Sequence, residues 1–119
     1  MGGRPSPSRC PARIPDVKVE LHPAATAELV AQHDFYEERL PKLGADLEAE
    51  VHRGLRHIVA SPEAWKPWPD LPEVRTFVLE RFPFVLPYWH DAERVVVLAV
   101  AHARRRPGYW KGRLRDVQR

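Results

Sequence analysis

Apolar and polar residues first alternate at residues 17–21. Val17, Val19 and Leu21 stand against Lys18 and Glu20, the period of a half-buried strand. Pro23 follows, and its fixed φ and missing N–H suit the first turn of a helix. From residue 24 to about residue 39, and just beyond it, Ala25, Leu29, Tyr36 and Leu40 recur at three- and four-residue multiples and predict one amphipathic helix. Pro41 disfavours helix at the residue before it, so the run LPKLG at 40–44 reads as a short connector. A second helix is predicted over about residues 45–60, where Leu47, Val51, Gly54, Leu55 and Ile58 form a single stripe. Gly54 weakens that helix and is expected to let the two helices approach closely. So short a link makes an antiparallel hairpin.

Residues 61–73 (SPEAWKPWPDLPE) read as a proline- and tryptophan-rich loop ordered by packing. Three strand-like segments come next, at 74–79, 84–90 and 94–101, with links of turn length. They predict an antiparallel meander. The last is apolar on both faces, which makes it central or covered by the helical hairpin. Pro87 has no N–H for a ladder, so its strand should carry a bulge or an open edge there. The element order is β-α-α-β-β-β, an α+β domain with a helical hairpin packed on an antiparallel sheet.

The chain of 119 residues suits one modest core. Residues 1–15 (MGGRPSPSRCPARIP) have almost nothing to bury and read as a disordered tail, leaving 16–119 as a single domain. No apolar run approaches the roughly 20 residues of a membrane span. Cys10 is the only cysteine, so no intrachain disulfide forms. With no apolar secretory stretch at the start, this points to the reducing cytoplasm.

Charge changes the picture more than composition does. The net charge is only +3, but residues 1–73 carry 9 Lys/Arg against 12 Asp/Glu, while residues 74–119 carry 10 against 4. A basic half on a small domain attracts polyanions or an acidic protein segment. Its densest stretch is VVVLAVAHARRRPGYWKGR at 95–113. His33, His52 and His57 show no repeated ligand spacing, and no Cys/His cluster marks a metal site, so neither metal nor cofactor is expected. Glu37 and Glu38 read as a solvated helix face.

In FYEERLPKLGADLEAEV, the proline/tryptophan loop, VRTFVLERFPFVLPYW and VVVLAVAHARRRPGYWKGR, the chain resembles the RelE/ParE family of small bacterial toxins. The similarity covers residues 17 to about 113, and its most specific part is a strand running into H-x-x-R-x-P-x-Y-W. The resemblance implies the toxin of a type II toxin–antitoxin module, neutralised by a cognate antitoxin through an acidic, amphipathic segment. It also implies one of two targets: DNA gyrase, as for ParE, or messenger RNA on the ribosome, as for RelE.

RNA cleavage through the 2′-hydroxyl needs a proton acceptor, a proton donor and cations at the developing phosphorane. The resemblance implies basic residues on the second and third strands, where this chain has Thr76-Phe77-Val78 and Val85. Arg75 and Arg81 substitute only if they project to the same face. If the protein is a nuclease, the resemblance makes His102, Arg106 and Tyr109 its catalytic residues. Arg75, Arg81, Arg104, Arg105, Trp110 and Arg113 are then the surface for target or antitoxin. The bland reading has His102 as a hydrogen-bonded structural residue and Tyr109 and Trp110 as packing for the tail. The missing strand cations favour ParE, a binding protein that inhibits gyrase, with the RelE-like endonuclease as the alternative.

Overall fold

The computed structural model describes residues 17–117 and opens with the predicted strand, β1 (Lys18–Leu21). The disordered-tail expectation for 1–15 lies outside the described residues. Helices α1 (Pro23–Arg39) and α2 (Leu43–Ala60) form the hairpin, with Pro23 in the first turn of α1. The sheet then follows as β2 (Lys66–Trp68), β3 (Leu71–Val78), β4 (Phe84–His90), β5 (Arg94–Val97) and β6 (Ala101–His102). The chain ends in a 3-10 turn (Lys111–Arg113) and a short helix, α3 (Leu114–Val117).

The strands lie in the order β1-β5-β4-β3-β2, with β6 beside β4. The meander β3-β4-β5 is antiparallel as predicted. The sheet as a whole is mixed, because β1 pairs parallel to β5. The hairpin supplies the crossover that this needs: it carries the chain over one face to the far edge, and the meander returns to β1. The proline/tryptophan loop is also more regular than expected, since Lys66 and Pro67 pair with Thr76 and Arg75 and so build β2.

Alternation divides the apolar residues between two cores. Facing the hairpin, Leu86, Tyr88, Val95 and Val97 pack with Leu47, Val51, Leu55 and Ile58 of α2. On the other face, Val74, Val96 and Leu98 pack with Trp110, Leu114 and Val117 of the C-terminal segment. The sequence-based reading covered one face of the sheet; the structure covers both. This explains the unbroken apolar run at 95–101.

Two glycine and carboxylate expectations change. Gly54 faces the sheet, where an added Cβ would lie 3.0 Å from Phe77 and 3.3 Å from Leu86. Gly44 is the residue at which the helices meet, with His33 O only 2.6 Å from its notional Cβ. Glu37 is no solvated bystander: its carboxylate accepts the Lys42 and Gly44 amides, both at 2.9 Å, and closes the start of α2.

Glu50 does comparable work between helix and sheet. It is 7% exposed and accepts the Glu80 amide at 3.0 Å and the Arg81 amide at 3.3 Å, with Arg53 beside it at 3.3 Å. Glu50→Ala orphans two amides of the β3–β4 turn and is expected to cost about 2 kcal/mol in urea unfolding. Glu50→Gln, which keeps an acceptor, should cost less.

Candidate functional site

The line of β5 and β6 breaks opposite Pro87. Tyr88 pairs with Val97, but Val85 pairs with Ala101, so residues 98–100 face only Leu86 and Pro87. One extra residue makes this a bulge, as a proline in the neighbouring strand requires. Leu98 N–H still reaches Pro87 O at 2.8 Å. The bulge leaves the Val100 amide and the Leu98 carbonyl to be satisfied elsewhere.

Glu28 and Arg113 satisfy them. The Val100 amide donates to Glu28 Oε1 at 3.0 Å, and Arg113 Nη1 donates to Leu98 O at 2.8 Å. Arg113 also holds both Glu28 oxygens, at 3.1 and 3.0 Å, and Tyr109 Oη donates to Glu28 Oε2 at 2.8 Å. Burial by itself would raise the Glu28 carboxyl. The hydrogen bonds from Arg113, Tyr109 and Val100 outweigh that effect and hold it below its ordinary 4.5. The same carboxylate raises Arg113.

Around this hub the C-terminal segment is tied down repeatedly. Lys111 Nζ meets Asp70 Oδ2 at 2.7 Å, Arg94 Nη2 donates to Val117 O at 2.6 Å, and His22 Nε2 lies 2.7 Å from Asp116. Trp110 is buried edge-on to Trp68, with ring centroids 5.0 Å apart. Arg105 stacks over Tyr109 at 3.9 Å.

The residues singled out for catalysis do not converge. His102 pairs with Phe84, so its side chain takes the hairpin side, edge-on to the Phe84 ring at 5.2 Å. Its Nδ1 accepts the Arg104 amide at 3.0 Å, which is the structural role. Tyr109 belongs to the opposite core, with its hydroxyl committed to Glu28. Burial and the Glu28 hydrogen bond push Tyr109 up to about 12. A proton acceptor at neutral pH needs a value near 7, so Tyr109 is badly placed for that work. Spectrophotometric titration should show Tyr88, pushed up by burial, and Tyr109 ionising together near pH 12. The neutral hydroxyl of Tyr109 stabilises the fold below pH 10, and that contribution fades as pH rises from 10 towards 12.

The basic residues separate in the same way. Arg75 lies on the hairpin side, where it donates to Glu63 O at 3.1 Å and Trp65 O at 2.8 Å. Arg81 sits in the β3–β4 turn, 3.7 Å from Asp46 of α2. Neither shares a face with Tyr109. Arg104 and Arg106 are exposed and have no side-chain partner among the described residues. Arg106 lines a hollow of about 200 Å³ with Trp68, Val85, Ala101 and Tyr109. Val78, which pairs with Val85 of that hollow, is 63% exposed.

Glu28 was missed by the sequence reading. Its signal was present: it stands between Ala25 and Leu29 of the apolar stripe, three residues after one and one before the other. Among the described residues, no group of three or more His, Cys, Asp or Glu side chains is placed to hold a metal ion. No helix among them is long and apolar enough to cross a membrane.

Comparison with known proteins matches residues 19–107 to the family described as the ParE toxin of the type II toxin–antitoxin system parDE. Among solved structures, the chain is similar to one titled "Chromosomal ParDE TA system from P. aeruginosa", with a TM-score of 0.65 and 23% identity. The match covers 75% of this chain and 98% of that one, and it shows a shared fold. No curated protein matches.

Proposed function

Because the chain belongs to the ParE toxin family of type II toxin–antitoxin systems, we propose that a cognate antitoxin holds it inactive in the cytoplasm and that, once released, it inhibits DNA gyrase by binding. The observation that carries this reading is the Tyr109–Glu28 hydrogen bond of 2.8 Å, with His102 turned to the other face of the sheet. The would-be acid and base of a nuclease are used to close the fold. Thr76, Val78 and Val85 put no charge where a phosphorane would need it. A protein that acts by surface complementarity requires neither.

The experiment is a gyrase assay with the purified chain. Supercoiling should fall and gyrase-linked DNA breaks should accumulate as the protein is added, and the purified product of the adjacent gene should reverse both. Undisturbed gyrase at a large molar excess of the protein would overturn the proposal.

A further inference from the structure

The C-terminal segment leaves part of the second sheet face uncovered. Trp110, Leu114 and Val117 close that face over Val74, Val96 and Leu98. Towards β6, pairing sets Val78, Val85 and Ala101 side by side across β3, β4 and β6. Paired residues share a face, so these three form one apolar row. Val78 ends the row and, at 63%, is the most exposed large apolar side chain among the described residues. Val85 and Ala101 line the hollow of about 200 Å³, together with Trp68 and the loop at 103–109.

Free cations stand around this row. Arg106 lines the hollow, and Arg104 lies two residues before it in the same loop. Lys66 lines an adjoining hollow of about 500 Å³ that shares Trp68 and Pro107 with the first. All three side chains are exposed, and none has a hydrogen-bond or ion-pair partner among the described residues. The acid lining the two hollows is Asp70, which Lys111 holds at 2.7 Å.

An apolar anchor point with a cationic rim fits a folded protein partner. Nucleic acid fits less well, because the rings here are engaged. Arg105 and Arg113 lie over Tyr109 at 3.9 and 5.2 Å, and Trp68 packs on Trp110 with Lys111 Nζ 5.9 Å from its centroid. A stacked base would have to displace those contacts. A second copy would bring Arg104, Arg106 and Lys66 against their own images. Residues 1–15 carry three arginines and no acid, so they are mismatched in the same way. A long amphipathic segment needs a continuous apolar stripe, whereas this row is three residues wide. A compact apolar knob flanked by carboxylates fits it.

Resting on the gyrase reading above, we infer that this end of the sheet is the surface that grips gyrase. An apolar side chain of gyrase seats against Val78 and Val85, and carboxylates beside it meet Arg106 and Arg104. Recognition of the target then falls to residues that the closure of the fold leaves free.

The test measures the affinity of purified, DNA-loaded gyrase for four forms of the full chain: wild type, Val78→Asp, Arg106→Glu and Arg56→Glu. All three positions are exposed, so melting temperatures should hold. Val78→Asp and Arg106→Glu should each weaken gyrase binding roughly tenfold or more, the size of one lost anchor or charge pair. Arg56→Glu makes the same charge change on α2 and should bind gyrase as wild type does. The purified product of the adjacent gene should bind Val78→Asp and Arg106→Glu as tightly as wild type. If Val78→Asp fails to fold, Arg106→Glu decides.

Wild-type gyrase binding that neither variant disturbs overturns the placement and leaves the gyrase reading intact. Absence of wild-type binding overturns the gyrase reading itself. An equal loss with Arg56→Glu reduces the effect to net charge and overturns the inference. So does a matching loss of antitoxin binding, or wild-type binding to duplex DNA alone that Arg106→Glu abolishes, since either gives the surface to another occupant.

Discussion

Replacing Trp110 with alanine is expected to cost about 3–5 kcal/mol, the range for removing a large aromatic side chain from a packed interior. Trp110 is 2% exposed and lies against Trp68, with Val74, Val96 and Leu98 beneath it. These residues form the core on the second face of the sheet, which the apolar stripe of α2 does not cover. The side chain therefore acts as the plug that holds the C-terminal segment down. Denaturant unfolding should show a lower midpoint, and a loss of this size is a large share of the 5–15 kcal/mol typical of whole domains. A midpoint within experimental error of wild type would mean that the segment does not close that face.

Glu28→Ala should cost nearly as much, about 3 kcal/mol, through a different mechanism. The substitution leaves Arg113, which is 20% exposed, without its carboxylate, and it strips acceptors from Tyr109 and the Val100 amide. The bulge, α1 and the C-terminal segment lose their common tie at once. Glu28→Gln keeps the shape and one acceptor and should recover part of the loss. Acid should act in the same direction. A carboxyl held below its ordinary 4.5 contributes its full stabilisation above that value and loses it as pH falls through the lower folded value. The difference between wild type and Glu28→Gln should therefore shrink below about pH 4. An alanine variant as stable as wild type would remove the hub from the account.

Much of the fold was legible in periodicity. The hairpin and the meander followed from spacing, and the missing N–H of Pro87 marked where pairing breaks, although the extra residue lies on the neighbouring β5–β6 line and not on its own strand. The parallel pairing of β1 was not legible, since no local signal says which neighbour an edge strand takes. Strand β2 was hidden because Pro67 and Pro69 argue against pairing, and its three residues pair only through the edge of β3. Gly54 was assigned to the wrong contact because a helix stripe shows which residues are buried without showing what lies opposite.

The site was less legible than the fold. The phrase ending in HARRRPGYW identified the family, but the working partners of that phrase lie far away in sequence. Glu28 precedes Tyr109 by 81 residues and Arg113 by 85. Charge counted along the chain placed a polyanion surface on the C-terminal half, yet most of those cations are tied to carboxylates and carbonyls of the fold. Face assignment was decisive. His102 and Tyr109 are near neighbours in sequence, and the pleat sends them to opposite cores.

The central claim is that this C-terminal segment closes the fold and that toxicity is exerted by binding. It is tested most directly by inducing the chain without its partner and mapping the 5′ ends of cellular messages alongside gyrase-linked DNA breaks, in wild type and in Tyr109→Phe. The account predicts DNA breaks with intact messages in both. Messages cleaved by the wild type and spared by Tyr109→Phe, with that variant still folded, would contradict it.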